Sequence, residues 1–159
     1  MGPMSKGNDD SSTGGADLPF ATTLHVRDAC MCLHLQRAAR AVARTFDEAL
    51  RPVGLTNGQF SLLMSLNRPQ PPLMGDVASL LAMDRTTLTA MLKVLTRRGL
   101  VEIRTDDDDR RGRRLKLLPE GRALLAAAMP LWTRTQAAVE ASLAEADPDR
   151  LRRDLKDLS

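Results

Sequence analysis

Five side chains recur at helical spacing within one short stretch: Arg85, Thr86, Thr89, Lys93 and Arg97. Residues so spaced share one face of a helix. Their chemistry is hydrogen bonding and charge. Two short hydroxyls let a backbone approach a partner closely, and a guanidinium or ammonium group reaches guanine edges or phosphate oxygens. A second basic group follows at Arg110, Arg111, Arg113 and Arg114, interrupted by Gly112. No glycine-rich phosphate loop, Ser/His/Asp set or carboxylate pair on a common pocket face accompanies them. The pattern therefore describes recognition of a polyanion, not bond making, and implies neither an enzyme nor a cofactor.

Elements able to position these residues are legible around them. A short apolar-faced helix is predicted from about Gly75 to Leu81, with a tight break at Ala82 and Met83. Asp84 then caps a second helix, its carboxylate accepting N–H groups that the first turn leaves unpaired. That helix puts Leu88, Leu92 and Leu95 on the face opposite the basic row, with Met91 beside them. Gly99 stops it, as a residue free to take positive φ should. Two strands are predicted next, Val101–Arg104 and Arg114–Leu117, each alternating apolar and charged residues. Helix, turn, helix and basic hairpin make a winged helix-turn-helix plan, whose second helix has the shape to lie in a major groove.

Charge is concentrated at this plan. Residues 84–118 hold ten Lys/Arg against six acids, a net of +4, while the whole chain nets +3. Local concentration of this kind is the electrostatic mark of a phosphate-binding surface. The bland reading is a solvated helix face on a packing unit, and an interaction module of this shape that does not read DNA is the rival function. The arginine-rich hairpin beside the helix favours double-stranded DNA. Asp106–Asp109 run against that trend: Asp109 is expected to pair with a neighbouring arginine and the other three to stay in water. Four adjacent carboxylates on a loop tip lack a defined cation geometry, so no metal is assigned there.

The stretches LTNGQFSLLMSL (Leu55–Leu66), VASLLAMDRTTLTAMLKVLTRRGLV (Val77–Val101) and DRRGRRLKLLPEGRALL (Asp109–Leu125) resemble the MarR (multiple-antibiotic-resistance regulator) family of dimeric winged-helix transcription factors. The likeness runs from about Arg27 to the C-terminus. Its third stretch is similar to the family's wing signature, an Asp-x-Arg followed by a strand, a Leu-Thr and a helix start with Glu and Gly. The resemblance implies that Asp109 braces the wing and that Arg111 enters a minor groove, with Arg110, Arg113 and Arg114 supplying phosphate charge. Leu118 departs from the family's Thr and removes a hydroxyl cap, leaving Pro119 to set the next helix. Ala82 stands where a turn glycine would be easier.

The remaining chain frames this centre. The fold class expected is mainly α, a winged helix-turn-helix with N- and C-terminal dimerisation helices. Residues 1–17, rich in Gly, Ser and Asp, read as a disordered tail. Residues 18–54 form the N-terminal dimerisation part, its helix predicted from Arg27 to Val53. There Cys32, Leu35, Ala39, Val42, Phe46, Ala49 and Val53 recur at spacings of three and four, a helix-packing seam. Residues 55–118 are the DNA-binding domain, opened by a Thr56/Gln59 capping box on a helix that buries Phe60, Leu63, Met64 and Leu66. Residues 119–159 hold the C-terminal dimerisation helices: one from Pro119 to about Ala146 with Pro130 inside it, and one started by Asp147 and Pro148 with Leu151, Leu155 and Leu158 on a face. Apolar seams at both ends call for a second copy, and a two-fold dimer matches a palindromic operator. Apolar runs are far short of a membrane span, there is no secretory pattern, and two cysteines form no disulfide framework, so the cytoplasm is expected.

Three sensing sites are weighed. Cys30, His34 and Arg37 share one side of the first helix, and neighbouring cations would favour an oxidisable thiolate. The bland alternative is a small apolar residue in an interface. Cys30 with His34 gives two ligands only, with His25 the one other histidine, so no metal site is assigned. The family resemblance also implies a small phenolic or aromatic effector held near His34, Arg37, Phe60, Met64 and Trp132. The function expected is thus a sequence-specific regulator, a repressor released by such a ligand or by oxidation.

Overall fold

The computed structural model describes residues 17–143 and 145–159. The expected tail falls, apart from Asp17, outside the described residues. The chain divides into two compact units, Met1–Ala38 and Ala39–Ser159.

In the first unit, α1 (Phe20–Ala29) precedes the start of α2 (Met31–Leu50). A single helix from Arg27 was expected. Instead the helix starts earlier, at Phe20, and breaks at Cys30, which takes ψ 103 in the extended region while its N–H still bonds the Val26 carbonyl. No proline or glycine causes the break. The Asp28 carbonyl freed there receives the His34 Nε2–H at 3.0 Å, and Arg27 pairs with the Asp28 carboxylate at 2.6 Å.

In the second unit α2 continues to Leu50, and a 3-10 turn (Arg51–Val53) closes on Gly54 at φ 67. The order is then α3 (Asn57–Ser65), α4 (Met74–Leu80), α5 (Arg85–Arg97), β1 (Val101–Thr105), β2 (Arg113–Leu117), α6 (Pro119–Ala141) and α7 (Pro148–Asp157). Thr56 and Gln59 form both halves of the capping box. The strands pair antiparallel with Ile103 opposite Leu115 and Arg104 opposite Arg114. Apolar faces of these elements meet in one core, in which Leu50, Leu62, Leu63, Leu88, Leu95 and Leu115 are fully buried. Phe46 and Phe60 flank Trp132, with ring centroids 6.5 and 6.2 Å away.

Leu118 provides no side-chain cap to α6, and Pro119 occupies the first turn in its place. Gly121 is buried against the chain before β1, where a Cβ would fall 2.5 Å from the Leu100 carbonyl oxygen. Only glycine allows α6 to start that close to the hairpin. The helix ends at Ala141, earlier than expected, because the Ser142 hydroxyl turns back to the Val139 carbonyl at 2.7 Å. Asp147 caps α7 through the Asp149 N–H, and Arg152 ties α7 to α6 at Glu140, 2.6 Å away. No helix among the described residues is long and apolar enough to cross a membrane.

Candidate nucleic-acid interface

The basic row lies on α5. Asp84 caps it by accepting the Thr87 N–H at 2.8 Å and the Thr87 hydroxyl at 2.6 Å. That hydroxyl contact holds the Asp84 carboxyl below the usual carboxylate range, so the cap keeps its negative charge at the helix N-terminus. Ala82, at φ 48, makes the turn from α4 in the left-handed region. Leu88, Leu92 and Leu95 anchor the inner face, with exposures of 1% or less. Arg85, Thr86, Thr89, Ala90 and Lys93 line a shallow outer depression of about 440 Å³, and Arg97 continues the exposed face. The Thr89 hydroxyl donates to the Arg85 carbonyl at 2.7 Å, which leaves its oxygen free to accept.

The hairpin between the strands sorts its charges. Asp109 accepts the Arg111 N–H on its carboxylate at 2.9 Å and the Gly112 N–H on its carbonyl at 2.7 Å. It therefore braces the tip through backbone groups. The ion pair expected of Asp109 is made by Asp106, which receives Arg114 Nε at 2.6 Å and is 6% exposed instead of standing in water. The Arg114 guanidinium beside it holds the Asp106 carboxyl below the usual carboxylate range. Arg114 also donates to the Pro71 carbonyl at 3.0 Å, tying the wing to the proline-rich connection before α4. Arg114, expected to serve phosphates, makes this brace and keeps 36% of its side chain exposed. Arg113 folds onto the carbonyls of Arg110 and Gly112, both at 2.9 Å.

Gly112 permits the arrangement, since a Cβ there would fall 2.9 Å from that of Asp106. Arg110 and Arg111 remain exposed at the tip. Arg111 and Arg85 line one cavity of about 310 Å³, so wing tip and helix start converge on a single surface.

Of the expected effector residues, Phe60, Met64 and Trp132 line a cleft of about 670 Å³ with Arg68, Leu81 and Met129. His34 and Arg37 lie on α2 in the first unit. There Cys30 is half-buried, and Cys32 is exposed with its Sγ accepting Gln36 Nε2 at 3.3 Å. Missed from the sequence were Asp106 as the bracing carboxylate and Arg98, which donates to the Gly54 carbonyl at 2.8 Å.

A helix-turn-helix with a two-stranded wing, its outer helix basic and its inner helix face apolar, defines a winged-helix protein. A profile described as MarR family matches residues 53–112. The chain is 43% identical to the M. tuberculosis transcriptional regulator MosR, solved in complex with DNA, over 81% of this chain and 92% of that one, with a TM-score of 0.74. It is 30% identical to the transcriptional repressor CouR bound to a 23-mer DNA duplex, over 90% and 99% of the two chains, with a TM-score of 0.73. It is also 32% identical over 91 residues to the transcriptional activatory protein BadR of Rhodopseudomonas palustris, 55% of this chain and 52% of that protein. The chain spans about half the length of the curated relatives it matches. It belongs to the MarR family, whose matched members are transcriptional regulators and not enzymes.

Proposed function

We propose that the protein is a cytoplasmic transcriptional repressor that binds a palindromic operator as a homodimer. In this reading residues 55–118 read DNA, while residues 18–54 and 119–159 pair the protomers. One observation carries it: α5 buries Leu88, Leu92 and Leu95 and turns Arg85, Thr86, Thr89, Lys93 and Arg97 outward, beside a wing tip carrying Arg110 and Arg111. Arg85, Thr86, Thr89, Lys93 and Arg97 serve the major groove and Arg111 the minor groove, with Arg110 and Arg113 adding phosphate charge. Pairing of protomers is supported by Leu151, Leu155 and Leu158 on α7, which are 36%, 41% and 66% exposed in the single chain. Repression is the sign favoured by the likeness to CouR.

Release follows occupation of the cleft at Phe60, Met64 and Trp132 by a small aromatic ligand. CouR has been solved with p-coumaroyl-CoA, and the cleft's size and apolar walls suit an aromatic body. Oxidation at half-buried Cys30 is the second route of release.

The test is the salt dependence of duplex binding. Each phosphate contact contributes a slope of about −0.9 in log K against log salt. Six cations per protomer (Arg85, Lys93, Arg97, Arg110, Arg111, Arg113) set an upper limit of about −11 for a dimer. A protein with no affinity for any duplex at low salt is the interaction module of the rival reading, and that result ends this one.

A further inference from the structure

The connection Gly54–Gly58 is gripped from two sides. On one, the Asp47 carboxylate of α2 accepts the Asn57 N–H at 2.6 Å, a part-buried bond that adds a second cap to α3. On the other, Arg98 at the end of α5 donates Nη1 to the Gly54 carbonyl at 2.8 Å. Farther along, a Cβ on Gly58 would lie 3.4 Å from Met91 Sδ. Met91 and Arg98 are two turns apart and so share one face of α5. Leu55, between the grips, is 3% exposed. The connection is thus fastened to the end of α5 at Gly54 and leads to Gly58, which lies close to Met91, while Asp47 fastens the same segment to α2.

We propose that Arg98 and Asp47 are positioning residues that set the pitch of α5 through this connection, so that Arg98 governs base readout without touching DNA. The inference rests on the DNA-binding reading above. Arg98 stands at the opposite end of α5 from Arg85, about 20 Å away at 1.5 Å per residue, with Thr86 and Thr89 about 18 and about 14 Å away. Over that lever a tilt of about 3° moves the base-facing end by about 1 Å. Hydrogen bonds to base edges lose their geometry at such a displacement, whereas attraction to phosphates declines only slowly with distance. Loss of the clasp therefore lowers discrimination more than it lowers general affinity. It also places both α2 and α5 on one short segment, so a displacement of α2 reaches the reading helix through Asn57 and Gly54.

The experiment uses the full chain, an operator selected from random duplexes by the wild type, and a scrambled duplex of equal length. Arg98→Ala should weaken operator binding about tenfold, the scale of one lost hydrogen bond. Binding to the scrambled duplex should change less than about twofold, with the salt slope unaltered. Arg98→Lys can still donate to the Gly54 carbonyl and should recover to within about threefold of wild type. Asp47→Asn keeps the acceptor and should behave likewise, while Asp47→Ala should resemble Arg98→Ala. Because both act through one segment, the double alanine variant should lose less than the product of the single losses. Circular dichroism establishes that each variant is folded.

Three results overturn the proposal: a slope shallower by about 1.8 for the dimer, which marks one phosphate contact per protomer; equal losses on operator and scrambled duplex; or a folded Arg98→Ala variant with wild-type operator affinity. A wild type that binds no duplex brings down the DNA reading itself, and this inference with it. That failure is separate, because it appears before any variant is made.

Discussion

Glycine to alanine at two helical positions should move stability in opposite directions. At Gly121, in the first turn of α6, the added Cβ falls 2.5 Å from the Leu100 carbonyl oxygen and 2.6 Å from Leu117 Cδ1. The first obstacle cannot swing away, because it is backbone and already accepts the Leu118 N–H at 3.0 Å. Either α6 backs off the hairpin or the strand yields, and overpacking of this kind costs about 1–3 kcal/mol. A backbone obstacle puts the cost at the upper end, and alanine's better helix propensity returns about 1 kcal/mol. The net is a loss of about 2 kcal/mol, or a fall in Tm of about 4–8 °C for a chain of this length. Gly75, in α4, has nothing within 4 Å of its ideal Cβ. There the propensity gain stands alone, and Tm should rise by about 2–4 °C. Thermal unfolding followed by far-UV circular dichroism reads both. A Gly121→Ala protein as stable as wild type, or two shifts of the same sign, would refute the claim that the α6 start is locked against the hairpin.

Three further outcomes are expected. Arg111→Ala should cost about 1–3 kcal/mol of operator affinity in a filter-binding or anisotropy titration, and wild-type affinity would remove this residue from the interface. Ala82 holds φ 48, a conformation costing an L-residue about 1–2 kcal/mol, of which glycine's own entropy returns about half. Ala82→Gly should therefore raise stability by about 0.5–1 kcal/mol in urea unfolding, and a loss would contradict the strain assignment. The Asp106 carboxyl titrates lower in the folded protein than in the unfolded chain, because Arg114 bonds its charged form. Its contribution is thus fully present above the ordinary aspartate range and lost as pH falls through the lowered folded value. Asp106→Asn should be less stable than wild type near neutrality, with the gap closing in acid; a constant gap across that range excludes the pair as its source.

What the sequence made legible was local. The Asp84 cap, the Thr56/Gln59 box, the stop at Gly99, the strained turn at Ala82 and the alternation in both strands are each settled by side chains a few residues apart. Features set by the path of the chain were not. Four identical carboxylates at 106–109 carry nothing in their type to say which one turns inward. The tip turn that bonds Gly112 N–H to the Asp109 carbonyl, with glycine's missing Cβ, brings Asp106 beneath Arg114. The break at Cys30 contains no helix-breaking residue, and its signature is the Asp28 carbonyl accepting from His34, six positions on. Arg98 and Gly54 are 44 residues apart, beyond any periodic pattern.

The acids of residues 84–118 also look different once placed. Counted along the chain they offset more than half of the positive charge. In the fold Asp84 is occupied by Thr87, Glu102 by Arg104 at 2.8 Å, Asp106 by Arg114 and Asp109 by the backbone of the wing tip. The two arginines so paired belong to the hairpin strands, away from the outer row of α5. Four carboxylates therefore help shape the motif, and two of them, Glu102 and Asp106, neutralise arginines that take part in that shaping. Arg85, Lys93, Arg97, Arg110 and Arg111 keep their charge on the exposed surface. Against them stand Asp107 and Asp108 on the same tip, Asp76 in the cavity lined by Arg85 and Arg111, and Asp84 and Asp109, whose hydrogen-bond partners are neutral. A paired ion contributes little field beyond a Debye length of about 8–10 Å in physiological salt, so an approaching duplex meets the unpaired set. Within the four-aspartate run, Asp106 is withdrawn into an ion pair and Asp109 bonds the backbone of the wing tip, so half of the run is turned to structural use.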